Sequence, residues 1–152
     1  MKISYKQTPN KTGRNGKKPL YIVLHSTGGS YEGAVAWLTN PDSGVSAHYV
    51  ISRDGDITQL CQCSEQTWHA GKSSWEGHRN LNDISIGIEM AHVDGVQDWP
   101  DKQVKAVAYI CGVLLDKFGI PEKNIIFHSD IAPGRKVDPV GFDKAKLLEL
   151  IK

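Results

Sequence analysis

Two histidines over a hundred residues apart occupy the same kind of position. His25 closes the run Tyr21-Ile22-Val23-Leu24, and His128 closes Asn124-Ile125-Ile126-Phe127. Both runs are short, apolar and rich in β-branched residues, as buried strands are. Strand ends in α/β sheets open on ligand crevices. Asp138 follows His128 across Pro133-Gly134, a pair that can turn the chain so that the carboxylate faces the ring. Two imidazoles and one carboxylate make three protein ligands. The fourth tetrahedral position is left for water, which is the catalytic zinc pattern rather than the structural one. A hydrogen-bonded structural histidine and an aspartate capping a turn would give the same letters, so spacing alone leaves both readings open.

Glu89 is the next residue with chemistry to offer. It sits in Ser85-Ile86-Gly87-Ile88-Glu89-Met90, where Ile86, Ile88 and Met90 share one face and Glu89 takes the other. A carboxylate on such a strand faces solvent or lines a pocket with a partner, because lone burial is costly. Beside an activated water it would serve as general base and then as proton donor. Lys136, two residues before Asp138, would share its side of an extended segment and could steady an oxyanion. It could equally be a surface lysine. Trp68-His69-Ala70-Gly71 opens a loop containing Ser73, Ser74, Trp75, Gly77 and Asn80. Aromatic faces and small polar groups suit a sugar, or a packed loop anchored by tryptophan. His48 reads as a buried or supporting histidine, and His78 and His92 as surface residues.

The elements that must position these groups follow from local pattern. Tyr31 to Leu38 forms a short helix stopped by Asn40-Pro41. Ala47–Ser52 and Ile57–Cys63 read as strands joined by Arg53-Asp54-Gly55-Asp56, with Asp-Gly the hairpin signal. Val104, Val107, Ala108, Cys111, Leu115 and Phe118 recur at helical spacing from about Pro100. Asp98 can cap that helix, and Gly119 and Pro121 end it. A last helix spans about Phe142 to Ile151, with Leu147, Leu148 and Ile151 inward. The first nineteen residues read as an irregular lead-in. Strands and helices mix along the chain, so the expected fold class is α/β: one domain over 1–152, a central mixed β-sheet flanked by helices.

Composition narrows the functions available. Lys+Arg is 18 and Asp+Glu 17, a net charge of +1, so nothing points to nucleic acid. The basic residues Lys2, Lys6, Lys11, Arg14, Lys17 and Lys18 read as a solvated face. No apolar run approaches the roughly 20 residues of a membrane span, and no signal peptide is visible. Cytoplasmic synthesis is expected, as a monomer. Cys61, Cys63 and Cys111 are odd in number and read as reduced thiols.

Five segments in order resemble one known family. They are Val23-Leu24-His25-Ser26, Val45-Ser46-Ala47-His48-Tyr49 through Arg53-Asp54-Gly55, Trp68-His69-Ala70-Gly71, Asn82-Asp83 through Ile86-Gly87-Ile88-Glu89, and His128 to Pro139. Together they resemble the zinc-dependent N-acetylmuramoyl-L-alanine amidases of the type-2 family, kin of peptidoglycan recognition proteins. The resemblance covers about Tyr21 to Phe142. It implies one catalytic Zn2+ on His25, His128 and Asp138, with Glu89 and Lys136 assisting hydrolysis of the bond between N-acetylmuramic acid and L-alanine. Some members place cysteine at the third ligand; here it is Asp138. Many phage members carry tyrosine where this chain has Ala47, which leaves Glu89 as the base. Trp68, His69 and Asn82 are the implied contacts to the peptidoglycan glycan-peptide substrate.

Three biological settings compete within that resemblance. A phage or prophage endolysin would act on the wall after release. A cytosolic recycling amidase would act on anhydromuramyl peptides. A recognition module would bind without cutting. Recycling enzymes resemble the chain closely in motif wording, but carry arginines where Gly44 and Leu81 stand, so the endolysin is the expected role.

Overall fold

A computed structural model describes residues 1–151. Its centre is a six-stranded mixed sheet in the order β1 (Ile3–Tyr5), β5 (Ile57–Gln59), β4 (Tyr49–Ile51), β9 (Ser85–Met90), β3 (Tyr21–Ser26), β10 (Ile125–Phe127). The β4–β5 pair is antiparallel and the other neighbours are parallel. Two small antiparallel pairs lie beside it: β2 (Lys11–Gly13) with β6 (Glu65–Thr67), and β7 (Ser74–Trp75) with β8 (His78–Arg79).

The helices are α1 (Tyr31–Leu38), α2 (Asp101–Phe118), α3 (His128–Ile131) and α4 (Lys144–Ile151). Strand alternation divides the core between them. Ile22, Leu24, Ile86, Ile88 and Met90 face α2 and pack with Val104, Val107, Cys111 and Leu147 of α4. On the opposite face, Val50 and Ala47 pack with Leu38 and Val35 of α1. Tyr21 and Val23 pack with Leu81, Ile126 and Ile131 there. His25 and Glu89 belong to this second face, so one alternation that fills the core also sets out the site. The expected α/β class and mixed sheet are what the chain adopts.

Three expectations are corrected. The lead-in is not irregular: β1 pairs with β5, β2 pairs with β6, and Arg14 is buried rather than solvated. Its guanidinium donates to the carbonyls of Cys63, Asn82 and Asp83, which pins the N-terminal segment to the sheet. Asp98 does not cap α2. Pro100 takes that position, and Asp98 pairs with Arg53. His92 is not a surface residue. It is 1% exposed, stacked on Trp99 at 3.6 Å between ring centroids. Gly119 does end α2, in the left-handed conformation expected of a helix stop.

Candidate metal centre and its cavity

Register brings the site together. His25 and Glu89 are Cα partners on β3 and β9. Phe127 of β10 partners Leu24, so the next residues, His128 and His25, come side by side. His128 then opens α3, and the turn beyond it folds back. The Ser129 amide donates to the Asp138 carbonyl at 2.9 Å. The Ser26 amide donates to the Asp138 carboxylate at 3.0 Å, tying the returning segment to the end of β3.

The outcome is a compact donor set. His25 Nδ1 and His128 Nδ1 are 2.9 Å apart. The Asp138 carboxylate lies 3.3 Å from His128 Nδ1 and 4.0 Å from His25 Nδ1. One ligand atom from each of the three residues falls within 4.8 Å of the others. Two ring nitrogens and a carboxylate oxygen facing one point are a set able to hold a metal ion. Burial alone would raise the Asp138 carboxyl, but hydrogen bonding and charge from His128, with the Ser26 amide, hold it below its usual range. His25 is depressed well below the ordinary histidine value by burial, then by the neighbouring rings of His128 and His69. Both directions favour the unprotonated donors that a cation requires.

Glu89 stands over this set. Its carboxylate is 3.6 Å from His25 Nδ1. Burial pushes its carboxyl up to about 8, reinforced by the Asp138 carboxylate and opposed by Lys136. A carboxyl so placed exchanges a proton near neutral pH. Glu89, Lys136, the three candidate ligands, Trp68 and His69 all line one cavity of about 240 Å3.

The candidate contact residues separate in three dimensions. Trp68 lines the cavity, and its backbone is docked on Ser46 through a bond from its amide at 2.8 Å. His69 lines it too, but its ring is buried beneath His25. Asn82 is not among the cavity residues, and its carboxamide oxygen accepts from the amides of His69 and Ala70. His48 is fully buried behind the site. Its Nδ1 accepts from the Gly87 amide, and its Nε2 faces the Glu65 carbonyl.

Three contributors escape a reading of the sequence. Trp37 lines the cavity mouth and is 55% exposed. It is a large aromatic off the buried stripe of α1, and that was the available signal. Asp94 gathers Ser26, His92 and the Val140 amide onto one carboxylate oxygen and so ties the end of β3 to the chain just beyond Asp138. Arg135 donates to the carbonyls of Ala70 and Lys72, strapping the Trp68 loop to the turn before Lys136. Neither carries a local sequence signal, because each acts across the fold.

Residues 15–141 match the family described as N-acetylmuramoyl-L-alanine amidase, and the chain belongs to that family. It is 41% identical over 108 residues to the 1,6-anhydro-N-acetylmuramyl-L-alanine amidase AmpD of Escherichia coli (strain K12), an alignment covering 70% of this chain and 58% of that protein. The chain thus matches somewhat over half the length of that relative. A crystal structure of an AmpD derivative superimposes with a TM-score of 0.88 at 29% identity, covering 99% of this chain and 95% of that one. A mutant endolysin from Bacillus subtilis superimposes with a TM-score of 0.77 at 25% identity, covering 100% of both chains.

Proposed function

We propose that this chain is a zinc-dependent amidase that hydrolyses the amide between N-acetylmuramic acid and L-alanine. The observation that carries the reading is the meeting of His25, His128 and Asp138 beneath Glu89 in one cavity, in a chain of this family. The donor set of His25, His128 and Asp138 suits Zn2+, and three protein ligands would leave a coordination position for water or substrate. Bound there, zinc supplies a Lewis acid for the amide carbonyl and acidifies a water.

The chain's own groups do the rest. Glu89 takes a proton from the attacking water and returns it to the alanine nitrogen as the C–N bond breaks. Its raised carboxyl suits that exchange. Lys136, at the cavity wall, faces the developing oxyanion with its ammonium. Trp68 gives the sugar an aromatic wall. His69 and Asn82 serve that wall from within.

The substrate is the glycan-peptide of peptidoglycan, with no nucleic acid partner, and the working form is a monomer. The favoured role is a lytic one, after release from the cytoplasm where the chain is made. The endolysin that superimposes over its full length supports it. Among the described residues no helix is long and apolar enough to cross a membrane. A second reading, cleavage of 1,6-anhydromuramyl peptides, is favoured by the 41% identity to AmpD. The test treats intact peptidoglycan and an anhydromuramyl peptide in parallel with zinc-loaded protein and identifies products by mass spectrometry. Stem peptides beginning with L-alanine from the polymer support the lytic role. Cleavage of the fragment alone moves the role to recycling. Cleavage of neither overturns the amidase.

A further inference from the structure

His69 is not spent on the reaction. It lies beneath His25, and three hydrogen bonds run away from the metal centre in series. His25 Nε2 meets His69 Nδ1 at 2.9 Å. His69 Nε2 meets Ser85 Oγ at 2.9 Å. Ser85 Oγ donates to the Leu81 carbonyl at 2.7 Å. All three side chains are buried, and His69 forms no ion pair among the described residues.

The far end of this series fixes its direction. A carbonyl oxygen only accepts, so the single Ser85 proton is committed to Leu81. Ser85 Oγ therefore accepts from His69, which places a proton on His69 Nε2 and leaves His69 Nδ1 as an acceptor. That acceptor takes the proton of His25 Nε2. His25 Nδ1 is then a bare lone pair, and it is the atom that faces His128, Asp138 and Glu89.

The fold makes room for this device. A Cβ built on Gly87 would lie 2.4 Å from Cγ of the His69 ring, so only glycine on that strand admits the ring there. His128 has no matching support, since its Nε2 is buried without a hydrogen-bond partner among the described residues.

We propose that His69, held by Ser85, is the positioning residue that sets the tautomer of His25 and presents its Nδ1 to the metal. The inference rests on the metal reading given above. Outer partners of this kind orient ligand rings, and their loss costs roughly 10- to 100-fold in metal affinity.

The test uses the whole chain. Nitrogen-15 spectra of histidine-labelled, metal-free protein read the tautomer, and competition with a chelator reads zinc affinity. Wild type is expected to show His25 protonated on Nε2. His69→Leu is expected to lose that preference and to bind zinc about 10-fold or more weakly. His69→Gln, whose amide oxygen can accept the same proton, is expected to recover most of the affinity. Ser85→Ala, a smaller change, gives the second reading if His69→Leu does not fold, with weaker zinc binding expected. Folded His69→Leu or Ser85→Ala protein with wild-type zinc affinity and an unchanged His25 tautomer overturns the inference alone. Wild-type protein that binds no zinc overturns the metal reading and the inference with it.

Discussion

His25 and Glu89 are register partners on neighbouring parallel strands, and their side chains stand 3.6 Å apart on the face away from α2. A candidate ligand and a candidate base are thus held by backbone ladders rather than by loops. Removing one should leave the other in place. Glu89→Gln is expected to keep the fold and its zinc while hydrolysis falls by about 100- to 10,000-fold. Product release followed chromatographically, with zinc content measured alongside, checks this. Near wild-type turnover would remove Glu89 from the reaction.

Asp138→Ala should act differently, because it takes a candidate ligand and not the base. Stoichiometric zinc should be lost at concentrations that saturate wild type, and activity with it. Chelator-treated wild type should match the variant and recover on adding zinc. An Asp138→Ala protein that still binds zinc with wild-type affinity would exclude this carboxylate from the ligand set.

Gly87→Ala drives a methyl into the His69 ring. Overpacking of this kind costs about 1–3 kcal/mol. Urea unfolding should show a lower midpoint with an unchanged slope. An unchanged midpoint would mean that the ring moves aside freely.

Trp37 is mostly exposed and touches the cavity only at its mouth. Trp37→Ala should leave stability and zinc content alone. Aromatic stacking on the substrate is worth about 0.5–1.5 kcal/mol, so KM should rise roughly 2- to 10-fold with kcat little changed. An unaltered KM would confine substrate to the inner part of the cavity.

His48 sets a pH dependence of stability. Burial lowers it from 6.5 to about 3, with the Arg14 charge acting the same way and the Glu65 carbonyl opposing. Its folded value lies below its unfolded one, so the unfolded chain binds the extra proton between these values. The stabilisation is fully present above about pH 6.5 and is lost as pH falls towards 3. One such group adds a slope of up to ~1.4 kcal/mol per pH unit. Urea denaturation of metal-free protein between pH 4 and 6 should therefore be shallower in pH for His48→Gln than for wild type. Equal slopes would assign the acid sensitivity elsewhere.

Much of this was legible in the residues. His25, Glu89 and His128 stand at or near strand ends, where period-two alternation and short apolar runs leave clear marks. The alternation of Ser85 to Met90 coincides with β9 for the same reason. β1 and β2 were not legible. They are short, exposed and polar, and they exist because β5 and β6 offer partners. The burial of Arg14 and His92 is equally unmarked in the sequence, for two different reasons. Arg14 is buried by carbonyls 49 and 69 residues away, whereas His92 is buried by its own irregular loop, stacked on Trp99 and bonded to Asp94 and the Gln97 carbonyl, where no periodic pattern marks it. His69 carries a signal in its motif, but its placement beneath the candidate ligand His25 comes from long-range packing against β3 and β9.

The donor set spans most of the chain: His25 from β3, His128 after the neighbouring β10, and Asp138 beyond it, with the Glu89 strand β9 on the other side of β3. No fragment lacking either end of that span contains the set. Contacts of such long sequence separation form late when a chain folds. Tight metal capture should therefore wait for the completed sheet, which makes the rate of zinc uptake during refolding a direct clock for the last step of assembly.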